Sequence, residues 1–328
     1  MTEECSTQPL KISCVTAYFH IPALWLNKEP SNDNEIYEII SEKTLNCGIR
    51  VKARRDGLFI FDFSNWKPAS ISPDAPDKEI EEVVRKRISV MNVHLACLNT
   101  STSFVGNMAM PIKQIITATD YILLPNFESN QIIIDTLPIW SPIIVYLQTY
   151  MSSSKISKTR NLILSCEIVE RSYELLDDLL IHGSEETLII AILLYNAVKH
   201  YTDHDFSTSL ILSWAAIEKM LNESWMKYIE NNRTINDQTF INSERKYKLG
   251  SRDFTASIIS EILSLTGQIT TDIYRDIEKV RKVRNAWMHE LKEIKDNEAS
   301  LAIRLAQSIF DQVHAVKLNL CISLGIHW

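Results

Sequence analysis

The chain has 328 residues, 45% of them apolar and 23% charged, with a formal net charge of −7. That is long enough for two ordinary domains and too acidic to coat nucleic acid by bulk charge, although a local basic patch is compatible with it. Only 7 glycines occur, and the six cysteines (Cys5, Cys14, Cys47, Cys97, Cys166, Cys321) form no C-x-x-C pair. These counts argue against glycine-rich phosphate loops, a disulfide framework and a zinc site.

Residues 10–65 read as strand-rich, in the segments KISCVTAYFH, TLNCGIRVKARR and GLFIFDFSNW. β-Branched and aromatic residues dominate them, and Asp56-Gly57 offers a hairpin turn between the second and third. SPDAPD then opens a helix whose apolar residues Ile80, Val84, Ile88, Met91, Leu95 and Leu98 recur at helical spacing. The basic run Arg85-Lys86-Arg87 reads as its wet face and His94 as structural. Strand-like pieces return at DYILLP and QIIIDTL, so residues 1–150 are expected to form a mixed α/β domain. Met151–Lys158, MSSSKISK, reads as a linker.

Residues 155–328 are expected to be an all-α domain, which makes the whole chain α+β. A first helix from about Lys158 to His182 stops at Gly183, and Ser184 is placed to cap the next. That helix carries LIIAILLYNAV, apolar nearly all round, as in a bundle interior. A third starts near Asp205 or Ser207, and a polar, basic stretch spans residues 231–252. Helices follow over 253–265 and from Asp272. The last is expected from about Glu298 to Ser323, with Leu301, Leu305, Ile309, Val313, Val316 and Leu320 on one stripe. No apolar run is long enough to cross a bilayer, and the polar, acidic start is unlike a signal peptide, so a cytoplasmic protein without membrane contact is expected.

The candidate chemistry lies in EKVRKVRNAWMHE, where Arg284, Asn285 and His289 form R-N-x-x-x-H. Arginine is permanently charged and holds phosphate through a forked pair of donors. Histidine exchanges a proton near neutral pH. Together they suffice to break an RNA strand without a metal: one moves the proton of the 2′-hydroxyl or leaving oxygen, and the other stabilises charge at phosphorus. A bare R-x4-H is common by chance; the adjacent Asn and the all-α setting sharpen it. In an unbroken helix, residues five apart point about 140° away from each other. The pair therefore requires a helix break or a second copy of the chain. The plain alternative is that Arg284 makes a surface ion pair and His289 caps a helix end.

The R-N-x-x-x-H segment near the end of a helical bundle resembles the HEPN superfamily. Trp214-Ala215-Ala216-Ile217-Glu218-Lys219-Met220 is similar to the W-x-x-I-E-x-L helix of the Apea-like HEPN group, departing from it at Met220, and LLYNAVKHYTDHD is similar to that group's lead-in helix. The resemblance covers roughly residues 155–325. It implies a metal-independent endoribonuclease without cofactor, homodimeric through the helical domain and acting on RNA in a bacterial defence or toxin-type system. Arg284 and His289 would be catalytic, Asn285 would orient them or bind substrate, and Glu218 would pair with an arginine nearby. Glu290 stands where many members carry a small residue. Residues 1–150, which resemble no family, would bind a regulatory protein or ligand. A non-catalytic module that binds nucleic acid, a nucleotide or a protein is the alternative, and a purely structural helical adaptor ranks behind both.

Two basic clusters could meet phosphates. The helix before the motif holds Arg275, Lys279, Arg281, Lys282 and Arg284 against Asp276 and Glu278, and of these Lys279, Arg281 and Lys282 are the expected RNA contacts. The loop before Asp253 holds Arg233, Arg245, Lys246, Lys248 and Arg252 against Asp237 and Glu244, and there plain solvated charge is the favoured reading. His200 and His204, spaced i, i+4 beside Asp203 and Asp205, could in principle hold a metal, but the acids read better as helix caps, and no metal site is assigned. Trp214, Trp225 and Trp287 read as core residues.

Overall fold

A computed structural model describes residues 13–21, 24–69, 75–105, 114–128, 162–235, 238–251, 253–314 and 316–322. The expected linker at 151–158 and strand at 131–137 lie outside the described residues. The fold is α+β, and the chain divides into two compact units. One comprises Met1–Ser101 with Gln114–Ile181, the other Thr102–Lys113 with His182–Trp328. No described helix is long and apolar enough to cross a membrane.

The first unit is built on β1 (Val15–Phe19), β2 (Trp25–Leu26), α1 (Asp33–Ile36), β3 (Ile39–Thr44), β4 (Arg50–Arg54), β5 (Leu58–Asp62), α2 (Asp77–Val105), β6 (Ile122–Leu124), β7 (Ile163–Leu164) and α3 (Cys166–His182). Five strands form an antiparallel sheet in the order β3-β4-β5-β1-β6, while β2 and β7 pair in parallel. Every residue of β1 and β5 is buried, which is why these strands read as apolar runs rather than as an alternation. One face gathers Val15, Ala17, Phe19, Leu58, Ile60, Ile122 and Leu124. On the other, Tyr18, Phe59 and Phe61 meet His94 of α2, which stacks on Tyr173 of α3. The expected Asp56-Gly57 turn joins β4 to β5. Gly57 adopts φ +82°, and a Cβ there would lie 3.3 Å from Leu24 Cδ1, so only glycine is accommodated without strain.

The chain departs from the sequence expectations on two helices of this unit, α2 and α3. The helix expected from Lys158 begins at Cys166, after a short strand, and it belongs to the sheet unit rather than to the bundle. The Arg85-Lys86-Arg87 run is not uniformly wet. Arg85 is exposed and Lys86 pairs with Glu82 at 2.8 Å, but Arg87 is fully buried. A helix turns 100° per residue, so three consecutive residues cannot share one face, and Arg87 falls on the inner stripe with Val83, Val90 and His94. Its guanidinium donates to Ala69 O at 3.0 Å, Ser13 O at 2.7 Å and Tyr121 Oη at 3.3 Å, and lies over the Phe63 ring.

Two buried polar groups tie the helices to the sheet. Asp177 of α3 accepts from Asn46 N at 2.9 Å, Asn46 Nδ2 at 2.8 Å and Cys47 N at 3.2 Å, closing the β3–β4 turn. His94 is bonded at both nitrogens, to Tyr18 Oη at 2.6 Å and Ser172 Oγ at 3.1 Å. Because Ser172 donates to Val169 O, it accepts from Nε2–H, and Nδ1 then accepts from Tyr18. The sequence reading of His94 as structural agrees with this geometry.

The second unit comprises α4 (Glu185–Thr202), α5 (Phe206–Asn231), β8 (Thr234–Ile235), β9 (Gln238–Thr239), α6 (Ser243–Leu249), α7 (Ala256–Leu265), α8 (Thr271–Glu290) and α9 (Asp296–Val313). Ser184 caps α4 in a reciprocal capping box with Thr187, and Asp205 caps α5 through Thr208 N. The buried middle of α5 packs most extensively on α4 and α9. The last helix stops at Val313, ten residues before the expected Ser323. Beyond it Val316, Leu318 and Leu320 are buried while Lys317 and Asn319 are exposed. That is the period of two of an extended segment, and 316 and 320 also fit a helical stripe, which is why the sequence pattern ran on. Gln307 Nε2 holds Leu320 O at 3.1 Å.

Asp177→Ala removes a buried acceptor shared by three N–H groups, and should cost about 3 kcal/mol in urea unfolding. Burial holds His94 neutral, moving its pKa from 6.5 down to about 3. The unfolded chain binds that proton below pH 6.5 and the folded chain does not, so stability falls from pH 6.5 towards pH 3 by about 1.4 kcal/mol per unit from this group. Urea midpoints measured between pH 7 and 5 should show that slope, and His94→Gln, less stable throughout, should flatten it. Equal slopes would refute the assignment.

Candidate functional site

Helix α8 carries the motif. Thr270 caps its start, accepting from Ile273 N, and the helix then runs without a break through Arg284 and His289 to Glu290. It ends at Leu291, whose backbone is left-handed (φ 52°) and whose side chain is 81% exposed. Such a conformation costs a non-glycine residue about 1 kcal/mol. The helix packs on α5, α7 and α9.

The inward stripe of α8 runs Ile273, Ile277, Val280, then Arg284 and Trp287, alternating steps of four and three. The first three are buried. Arg284 thus occupies a position that isoleucine and valine hold in the preceding turns. It is half-buried, Nη1 donates to Asn285 Oδ1 at 3.1 Å, and the buried Nε has no partner. No carboxylate pairs with it among the described residues, so the surface ion pair of the plain reading is not what this arginine makes. His289 is exposed in the last turn, beside Glu290 and the 47% exposed Met288. Because the helix is continuous, the two side chains point about 140° apart. Arg284 and Asn285 are brought together; Arg284 and His289 of one chain are not.

The surrounding cations are largely neutralised along the helix itself. Arg275 pairs with Asp272 at 3.3 Å, Lys279 with Asp276 at 2.7 Å, and Arg281 with Glu278 through two bonds of 2.9 and 2.7 Å. The Arg281 guanidinium holds the Glu278 carboxyl below its usual range. Lys282 is exposed and meets no carboxylate among the described residues. Glu218, half-buried on α5, likewise makes no ion pair with an arginine among them.

The groups set aside behave as caps and core. Asp203 ends α4 and Asp205 starts α5, and His200 Nδ1 lies 3.1 Å from Asp205 Oδ2. No cluster of three or more His, Cys, Asp or Glu able to hold a metal occurs among the described residues. Trp214 and Trp225 are buried, whereas Trp287 is only partly so. The sequence reading had not found a cavity of about 180 Å³ lined by Glu223, Lys227, Tyr228, Gln268 and Gln312, among others, but by neither motif residue. Burial raises the pKa of Glu223 there. Its signal was a polar line at i, i+4, i+8 (Glu223, Lys227, Asn231) along one side of α5.

No family model, curated protein or solved structure gives a significant match to this chain.

Arg284→Met should leave the urea midpoint unchanged or raise it slightly, because it replaces a half-buried cation lacking a carboxylate partner with an apolar side chain. A loss of more than about 1 kcal/mol would show that Arg284 serves the fold instead.

Proposed function

We propose that the second unit is a metal-independent endoribonuclease of HEPN type, acting in the cytoplasm as a homodimer. The observation that carries this reading is Arg284, a cation without a carboxylate partner among the described residues, on the inner stripe of a continuous helix, hydrogen-bonded to Asn285 and followed by an exposed His289. A stripe position costs less when filled by an apolar residue, so a cation there needs a reason, and a phosphate would supply one.

In this reading the arginine stabilises charge on the phosphorus centre and Asn285 fixes the plane of its guanidinium. His289 moves the proton of the 2′-hydroxyl or of the leaving oxygen. The 140° separation makes the site composite, with the arginine of one copy facing the histidine of another. Exposed Met288 and Leu291 supply apolar surface for that contact. Lys282, the cation left unneutralised, contacts the substrate backbone, whereas Lys279 and Arg281 reach it only by exchanging partners. The setting would be bacterial defence or a toxin-type system, with the first unit binding a regulatory protein or ligand.

A second reading, a non-catalytic module that binds nucleic acid, a nucleotide or a protein, is favoured by the same continuous helix and by the exposed carboxylate of Glu290 beside His289.

Purified protein should cut RNA in EDTA, and Arg284→Ala or His289→Ala should each slow cutting by at least about a hundredfold. Mixing the two inactive variants should restore about a quarter of the activity, through one intact site in each mixed dimer. Equal cutting by wild type and His289→Ala would sink the nuclease reading. Wild-type cutting without complementation would sink the composite site.

A further inference from the structure

The stretch from Arg233 to Leu249 was expected to be solvated loop. Its described residues form an arm: β8 and β9 pair antiparallel, and α6 follows. No residue of α6 is buried. Tyr247 is 84% exposed and Phe240 is 49% exposed. The arm is nevertheless held firmly at its base. Trp225 of α5 donates from Nε1 to Leu249 O at 2.8 Å and stacks on Phe254 and Tyr228, while Lys246 pairs with Glu230 at 2.5 Å.

Charge separates this arm from the helix before the motif. There, Arg275, Lys279 and Arg281 each have a carboxylate on their own helix. On α6, exposed Arg245 and Lys248 meet no carboxylate among the described residues; the Arg245 guanidinium donates only to Phe240 O at 3.1 Å. The two are spaced i, i+3 and share a face, while Tyr247, about 100° from Lys248 and about 160° from Arg245, projects from the neighbouring side of the helix next to Lys248. Glu244 is the one acidic residue of α6. In a chain of net charge −7, two free cations beside two solvent-facing rings form a local surface of opposite sign to the whole. Its chemistry suits a flexible polyanion with exposed flat bases.

We infer that this arm binds single-stranded RNA, with phosphates on Arg245 and Lys248 and an unstacked base on Tyr247. The inference rests on the RNA reading above and adds a binding surface separate from the Arg284 and His289 motif. Double-helical RNA presents no free base face, so it binds more weakly.

The test uses the full chain carrying His289→Ala, so that the probe survives, and a fluorescein-labelled twelve-nucleotide single-stranded RNA followed by anisotropy. Tyr247→Ala should weaken binding about tenfold, and Tyr247→Phe should restore it. Replacing both Arg245 and Lys248 by Gln should lower the slope of log affinity against log salt by about 1.4, at about 0.7 per phosphate lost. Glu244→Gln should tighten binding. Affinity and salt slope unmoved by these changes, or a duplex bound as tightly as the single strand, would overturn the arm as an RNA surface; an arm that serves a protein partner gives the first of these results. Wild-type protein that cuts RNA while the arm variants bind as before overturns the arm alone. Protein that cuts nothing yet loses RNA binding with Tyr247→Ala sustains the arm and overturns the nuclease.

Discussion

A helix advances 100° per residue, and α8 keeps that pitch from Thr271 to Glu290. Both the packing of the second unit and its candidate chemistry hang on this regularity. The pitch places Ile273, Ile277 and Val280 against α5, α7 and α9, and by the same arithmetic it sets Arg284 inward and turns His289 out to solvent. A break between Arg284 and His289 would have let the two functional groups meet within one chain. Without a break, any shared chemistry must be completed from outside the chain.

The first unit answers a different constraint. A sheet covered on both faces has to satisfy every polar group it encloses or pay several kcal/mol for each. Several find long-range partners: Asp177 for the β3–β4 turn, Tyr18 and Ser172 for His94, main-chain carbonyls for Arg87; the buried Tyr173 Oη has none among the described residues. Arg54 closes a two-bond pair with Asp56 inside the turn that joins β4 to β5. These groups order the interior more than they strengthen it, since a buried ion pair roughly offsets its own desolvation.

Local signals in the sequence were reliable wherever the physics was local. The Asp56-Gly57 turn, the Ser184 and Asp205 caps, and the helical character of α4, α5 and α8 all depend on neighbours within a turn or two, and all were legible. What escaped depends on distant partners. Arg87 looks like its neighbours Arg85 and Lys86 until the sheet shows which of the three faces inward. The α3 helix resembles a bundle helix, but its polar contacts are with the β3–β4 turn. The end of α9 was overrun because Val316 and Leu320 satisfy two periodicities at once. At the candidate site, the residues of the motif could be named and their angular separation calculated. The neutralisation of Arg281 by Glu278, and the lack of a carboxylate beside Arg284 among the described residues, are facts of three-dimensional packing.

The segment after α9 has a further meaning. It doubles back along the helix that precedes it, and Gln307 reaches Leu320 across only thirteen positions of sequence. Closing so short a loop costs little chain entropy. This strap is tied to α9 through Gln307 and also to Ser103 through Cys321, so lifting it away breaks contacts with more than one element of the chain.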